Sequence, residues 1–238
     1  MTRVLIVDDH PLVARATANE VRMVKREAET RLAHSIEEIA EVQVDWESEA
    51  AAVTTRTGIA GLQERMTKRT VTTGCGQGTV FGDLMAEIDS IRLRADVTLS
   101  EDTLYALLEA VRRHETVYKS AGAVHGCALA DGAEIIYFIE DVGRHNAVDA
   151  IAGQMWLDHV DGSDKIFYTT GRLTSEMVIK AAQMQIPFLI SRSGLTQMGF
   201  EVANKVGITM LGRAINRRYL LFTGKQRFVK SSMPTMLA

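Results

Sequence analysis

The sequence predicts an α/β protein with a parallel sheet in its second half, and three observations carry that prediction. From Lys165 onward one theme recurs: a short apolar strand, a polar loop of Ser, Thr, Gly and Arg, then a helix-patterned segment. Strands alternating with single helices imply right-handed crossovers and parallel pairing. Upstream, two strand-like runs flank an Asp131-Gly132 turn signal, which reads as a hairpin. Before them, Ser100 stands as the N-cap of a helix over Glu101 to His114, with acidic residues in the first turn.

Taken in order, Arg3 to Val7 reads as a buried strand and Pro11 to about Arg31 as a helix. Val42, Val44 and Trp46 alternate with Gln43 and Asp45, the pattern of a half-buried strand. Gly61 to Lys68 reads as a short helix. The hairpin strands run Ala123 to Ala130 and Ala133 to Ile139, and a helix follows from His145 to about His159. The repeats then give strand 165–169 and helix 174–185, strand 187–190 and helix 196–206, and strand 208–211. The loops that follow the three strands lie on one edge of such a sheet. They bring Thr170-Gly171-Arg172, Ser191-Arg192-Ser193-Gly194 and Gly212-Arg213 to helix N-termini, whose free N–H groups attract anions. A phosphate-bearing ligand fits that edge, although Ser, Thr and Gly at helix starts also serve as plain caps.

The chain of 238 residues is 46% hydrophobic and 24% charged, ordinary for a globular protein. No apolar run reaches the ~18 residues of a membrane span, and the start is too acidic for a signal peptide. Cys75 and Cys127 are the two cysteines, too few for a disulfide framework, so the expectation is a cytoplasmic protein with reduced thiols and no membrane partner. Net charge is −3, yet no acidic residue follows Glu201, while seven Lys and Arg do. A one-signed end favours a polyanion or is simply a basic tail. Nucleic acid is not expected, because the rest of the chain is acidic and no basic–aromatic motif occurs.

Cys75 sits in Thr72-Thr73-Gly74-Cys75-Gly76-Gln77-Gly78-Thr79. A packing cysteine keeps apolar neighbours, whereas glycines leave this thiol on permissive backbone. That is the setting of a carrier or nucleophilic cysteine, or of an incidental cysteine on a surface loop. Cys127, in an apolar strand-like run, reads as a small buried residue.

These residues, with Glu140-Asp141-Val142-Gly143-Arg144-His145-Asn146-Ala147-Val148-Asp149, Gly171-Arg172-Leu173-Thr174-Ser175-Glu176-Met177-Val178 and Ser191-Arg192-Ser193-Gly194-Leu195-Thr196, resemble the formate dehydrogenase accessory sulfurtransferases. The likeness runs from about Thr72 to Thr223. It implies a cytidine-deaminase-like three-layer α/β fold with a largely parallel sheet, usually as a homodimer. It implies a sulfur carrier that accepts persulfide sulfur from a cysteine desulfurase. The sulfur then passes to molybdenum in the bis(molybdopterin guanine dinucleotide) cofactor, a bound substrate, for formate dehydrogenase maturation. Cys75 matches the persulfide cysteine, and Arg213, Ala214, Ile215, Asn216, Arg217 and Arg218 match the cofactor-contacting segment. Arg172, Ser191 and Arg192 join them from the anion-seeking edge. A thiolate attacks the donor, so a lowered Cys75 pKa is expected. No resident metal is implied.

The likeness has limits. Many relatives carry a second cysteine three residues after the first, where this chain has Gly78. The division expected is an atypical β/α region over 1–70, a sulfurtransferase-like domain over 71–225 and a basic tail over 226–238. In the first region Ala18-Asn19-Glu20-Val21 resembles the family's opening, and a family segment is missing after it. Val4 to Pro11 is similar to the first strand and acidic pair of a receiver domain, but Ala51-Ala52-Val53-Thr54-Thr55 lacks the phospho-accepting Asp. Zinc deamination would need His-x-Glu and Pro-Cys-x-x-Cys, both absent. A cysteine phosphatase would need Arg six residues after the cysteine, where Phe81 and Ala133 stand. Two function classes remain: a sulfur carrier acting through Cys75, and a non-transferring chaperone that only binds the cofactor.

Overall fold

The computed structural model describes residues 2–7, 36–45, 50–56, 88, 91–115 and 117–231. The Cys75 loop and the helices expected over 11–31 and 61–68 lie outside the described residues. The chain forms two compact units, residues 1–85 with 148–160, and residues 86–147 with 161–238.

In the first unit, β1 (Thr2–Val7), β2 (Ile39–Asp45) and β3 (Ala50–Thr55) make an antiparallel sheet of order β1-β3-β2. Thr2 pairs with Thr55 and Val7 with Ala50. A receiver places its first strand within a parallel sheet, so the antiparallel pairing of β1 separates this unit from one. The Arg56 amide donates to the Glu38 carbonyl at 2.7 Å and its Nε to the Glu37 carbonyl at 2.8 Å, which fastens the end of β3 to the turn before β2.

The second unit opens on the two-residue strand β4 (Leu99–Ser100), which pairs with β11 (Phe228–Val229). Helix α1 (Glu101–His114) starts where the sequence places it, because the Ser100 hydroxyl accepts from the Thr103 amide at 3.0 Å. That bond satisfies one of the free N–H groups of the first turn. A short α2 (Val117–Ala121) precedes the hairpin β5 (His125–Asp131) and β6 (Glu134–Asp141). Gly132 supplies the turn with φ of +55°. Helix α3 (Arg144–Leu157) begins in this unit and continues into the residues of the first. The repeats follow as β7 (Ile166–Thr169), α4 (Ser175–Gln183), β8 (Phe188–Ser191), α5 (Gln197–Val206) and β9 (Thr209–Ile215), and β10 (Arg218–Leu221) closes the set.

The six strands lie in the order β10-β9-β8-β7-β5-β6. Pairs β7–β8 and β8–β9 are parallel, whereas β5–β7, β5–β6 and β9–β10 are antiparallel. The expected largely parallel sheet is therefore corrected to a mixed one with a parallel centre. Hairpins need only a short turn, so a chain that enters and leaves through hairpins flanks its crossover strands with antiparallel ones. From α1, Leu104, Leu107, Leu108 and Val111 pack on Ala128, Ala130, Ile166, Tyr168, Phe188, Ile190, Leu211 and Ala214. Fully burying each leucine stabilises by about 1.5–3 kcal/mol. The alternate residues Cys127, Leu129, Phe167, Leu189 and Met210, all fully buried, form the opposite face. Right-handed crossovers place α4 and α5 together on that side.

Candidate functional site

The loops after β7 and β8 and the second half of β9 are tied to one another by their own backbone. Gly212 and Arg213, expected in a loop at a helix N-terminus, lie within β9, which turns back into β10 rather than into a helix. The Arg192 amide donates to the Thr169 carbonyl at 3.0 Å, Leu173 to Gly194 at 3.0 Å, and Arg213 to Ser193 at 2.8 Å. The hydroxyls of these loops also bond inward. Ser191 is fully buried, donates to the Gly171 carbonyl at 2.6 Å and accepts from the Ser193 amide at 2.9 Å. Thr169 and Thr170 accept from the amides of Gly171 and Gly126 at 3.1 and 3.0 Å. The sheet edge is thus a cross-braced platform, and the Thr169, Thr170 and Ser191 hydroxyls are part of its bracing.

Two of the sequence motifs meet there. An added Cβ on Gly171 would lie 2.8 Å from Arg144 Cδ and 3.3 Å from His125 Nδ1, so the Arg144 side chain packs directly against the Gly171 backbone. Burial, and after it the Arg144 charge, lowers the His125 pKa, while Asp141 opposes them. His145 Nε2 lies 3.4 Å from Glu176 Oε2. Glu140 accepts from the Val117 and Tyr118 amides at 2.9 and 2.8 Å, which caps α2. Cys127 is buried and its thiol donates to Thr169 Oγ1 at 3.2 Å, as expected of a packing residue.

Of the anticipated site residues, Arg192, Ala214, Ile215 and Asn216 share one cavity of about 370 Å³. Leu108, Tyr168 and Tyr118 form the rest of its apolar and aromatic wall, and Arg112, Lys119 and Glu115 its other charged groups. Arg172, Arg213, Arg217 and Arg218 are exposed and do not line it. Arg213 adopts φ of +50° where β9 shifts register against β10, and Asn216 adopts φ of +55° in the turn between the two strands. Arg217 lies 5.5 Å from the Tyr105 ring centre.

Glu115, which sequence reasoning missed, is the most unusual member. It is the C-cap of α1, with its side chain 2% exposed. A carboxylate there faces the negative end of the helix dipole. Oε2 lies 3.4 Å from Arg192 Nη1, and Oε1 has no hydrogen-bond partner among the described residues. Burial raises its pKa, Arg192 and Lys119 pull it down, and Glu140 adds to the rise. Burial, with the Glu115 charge, also pushes the Tyr168 hydroxyl pKa up. One signal was available in the sequence: an acid directly after the basic last turn Arg112-Arg113-His114. Arg192 stacks on the Tyr118 ring at 5.2 Å, so the cavity offers a flat cation–aromatic face beside a buried carboxyl. Among the described residues, no group of three or more His, Cys, Asp or Glu side chains could hold a metal ion, and no helix is long and apolar enough to cross a membrane.

Comparison with known proteins gives a consistent result. A sulfur carrier protein FdhD from Listeria monocytogenes serovar 1/2a is 30% identical over 162 residues, 67% of this chain and 62% of the relative. One from Wolinella succinogenes is 28% identical over 194 residues, 81% and 67% of the two chains. This chain thus spans about 62% of the length of the Listeria relative. A crystal structure of a protein described as a formate dehydrogenase accessory protein, from Desulfotalea psychrophila, superposes with a TM-score of 0.67 at 24% identity. It covers 89% of this chain and 80% of its own, a match of fold. The model of the FdhD/NarQ family matches residues 28–229, from the first unit to the last strand, and the chain belongs to that family.

Proposed function

We propose that this protein is a sulfur carrier for formate dehydrogenase maturation, acting through Cys75 on the molybdenum bis(molybdopterin guanine dinucleotide) cofactor as substrate. The observation that carries the reading is the convergence of Arg192 with Ala214, Ile215 and Asn216 on one cation-rich cavity. Segments far apart in the sequence and expected to contact one phosphate-bearing ligand lie side by side. The names of the relatives and the setting of Cys75 support the carrier role.

In the acceptance step, the Cys75 thiolate attacks the terminal sulfur of a persulfide on a cysteine desulfurase. The donor S–S bond breaks as the new one forms, and the donor cysteine leaves as its thiolate, with no net oxidation. With Gly78 in place of a second cysteine, Cys75 works without a resolving thiol in its loop. Soft sulfur is a suitable ligand for the receiving metal. Arg172, Arg213, Arg217, Arg218 and the Ser191 loop belong to this reading as the cationic approach to the cavity. So do a cytidine-deaminase-like classification of the fold, a homodimer and a cytoplasmic location.

The test is formate dehydrogenase activity in a host lacking its own sulfur carrier of this kind. Supplying this chain restores the activity, and the Cys75→Ala variant at equal abundance does not. Equal restoration by both proteins would instead support the chaperone that binds cofactor without transferring sulfur.

A further inference from the structure

The end of β9 and its turn into β10 bring Ala214, Ile215 and Asn216 to the cavity on unfavourable backbone. Arg213 and Asn216 take φ of +50° and +55°, a region uncommon outside glycine. Such a conformation persists only where its surroundings over-determine it. On one side the hold is the Arg213 amide, which donates to the Ser193 carbonyl at 2.8 Å. On the other side it is the start of α1. Tyr219 donates to Glu101 Oε1 at 2.5 Å, and Tyr105, one helical turn beyond Glu101, donates to the same oxygen at 3.1 Å. The Arg217 guanidinium lies 5.5 Å from the centre of the Tyr105 ring, and the Tyr105 and Tyr219 rings are 6.2 Å apart. Glu101 Oε2 accepts from the Ser231 amide at 3.2 Å, so both oxygens are engaged by the chain itself. None of Glu101, Tyr105, Arg217 and Tyr219 lines the cavity, whereas Leu108, Arg112 and the C-cap Glu115 do. One helix therefore carries a wall of the cavity and also grips the turn that forms another.

We infer that Glu101 is a positioning residue for the cavity: through Tyr219, and through Tyr105 beside Arg217, it holds the β9–β10 turn at the spacing the ligand requires. Without the clasp the strained turn relaxes, and only a fraction of the molecules keep Asn216 in place. Apparent affinity falls by that fraction. The inference rests on the proposed cofactor-binding reading and adds a residue that acts on the ligand from outside the cavity.

The experiment is calorimetric titration of the full chain with GDP, a soluble nucleotide that shares its guanine and diphosphate with the proposed substrate. Amide hydrogen exchange over residues 213–221 and a melting curve are read on the same samples. Glu101→Ala removes the acceptor of both tyrosines. It is expected to bind GDP about tenfold more weakly, as for a turn in place in about one molecule in ten, and to exchange its turn amides faster. Glu101→Gln keeps an acceptor oxygen and stays within about threefold of wild type. Ser100→Ala loses the cap of the same first turn of α1, whose bond runs to Thr103 and not to β10. It controls for plain destabilisation and keeps GDP affinity within about twofold of wild type. If the melting curve shows that Glu101→Ala does not fold, Tyr219→Phe takes its place, with GDP weakened about threefold for the loss of one hydroxyl. The inference is overturned if the clasp variant binds GDP as wild type does, even with faster exchange. It is also overturned if Ser100→Ala weakens GDP as much, or if Glu101→Gln binds as weakly as Glu101→Ala. A wild-type protein that binds no GDP overturns the cofactor-binding reading and this inference with it. GDP held equally by wild type and Glu101→Ala overturns the inference alone.

Discussion

Gly199→Ala tests the bracing of the site directly. Gly199 lies in the first turn of α5, and the Thr196 hydroxyl accepts from its amide at 3.1 Å. A Cβ there would stand 2.6 Å from the Leu173 carbonyl oxygen and 3.2 Å from the Thr174 carbonyl carbon. The same Leu173 oxygen accepts from the Thr196 amide at 3.0 Å, and the Leu173 amide donates to Gly194 at 3.0 Å. The obstacle is backbone, so no flexible side chain can swing away. Alanine gains about 1 kcal/mol of helix propensity over glycine. Against this stand an overpacking cost of about 1–3 kcal/mol and about 1 kcal/mol for a weakened Thr196–Leu173 bond. The net expectation is a loss of about 1–3 kcal/mol, and for a protein of this size each kcal/mol lowers the melting temperature by about 2–4 °C. Gly194, with nothing within 4 Å of its added Cβ, is the control, and Gly194→Ala stays within about 0.5 kcal/mol of wild type. Thermal unfolding followed by circular dichroism reads both. A Gly199→Ala protein that melts at or above the wild-type temperature would refute the argument.

Ser100→Ala removes the cap of α1 and is expected to lower stability by about 1 kcal/mol in urea unfolding; an unchanged midpoint would mean the cap is dispensable. Tyr219 donates to Glu101 Oε1 at 2.5 Å, and that bond, with those from Ser231 and Tyr105, holds the Glu101 carboxyl below its ordinary range against the opposing effect of burial. A depressed folded pKa gives stability that is present above the unfolded value of about 4.3 and is lost as pH falls through the folded one. Tyr219→Phe is therefore less stable than wild type at pH 7 by about 1 kcal/mol, and the gap shrinks toward pH 3. Denaturant titrations at both pH values giving the same gap would contradict the assignment. Cys127, fully buried against Thr169, is expected to resist alkylation until the protein unfolds. Modification of Cys127 in the native protein, read by peptide mapping, would place it elsewhere.

The sequence made local features plain and hid those that depend on distant pairing. The Ser100 cap, the Gly132 turn, the two strand–loop–helix repeats and the strand after them are written in neighbouring residues, and each of these elements forms within four residues of its expected bounds. The mixed direction of the sheet was hidden, because it follows from β5 pairing with β7 across a gap that no local pattern encodes. Strand β10 is four residues with an exposed start and carries little periodicity. The Ser and Thr of the loops signalled a ligand, yet those of Thr169, Thr170 and Ser191 bond within the platform. Part of the cavity was legible, through Arg192 and through Ala214, Ile215 and Asn216 of the 213–218 segment. Its carboxylate was not, because Glu115 acquires its meaning only from being buried opposite Arg192.

The central claim is that Cys75 carries sulfur. Intact-protein mass spectrometry after incubation with a cysteine desulfurase and cysteine measures it most directly. The account predicts a gain of one sulfur, about 32 Da on wild type, and no gain on Cys75→Ala. A folded wild-type protein that gains nothing, or a Cys75→Ala variant that gains as much, would contradict it.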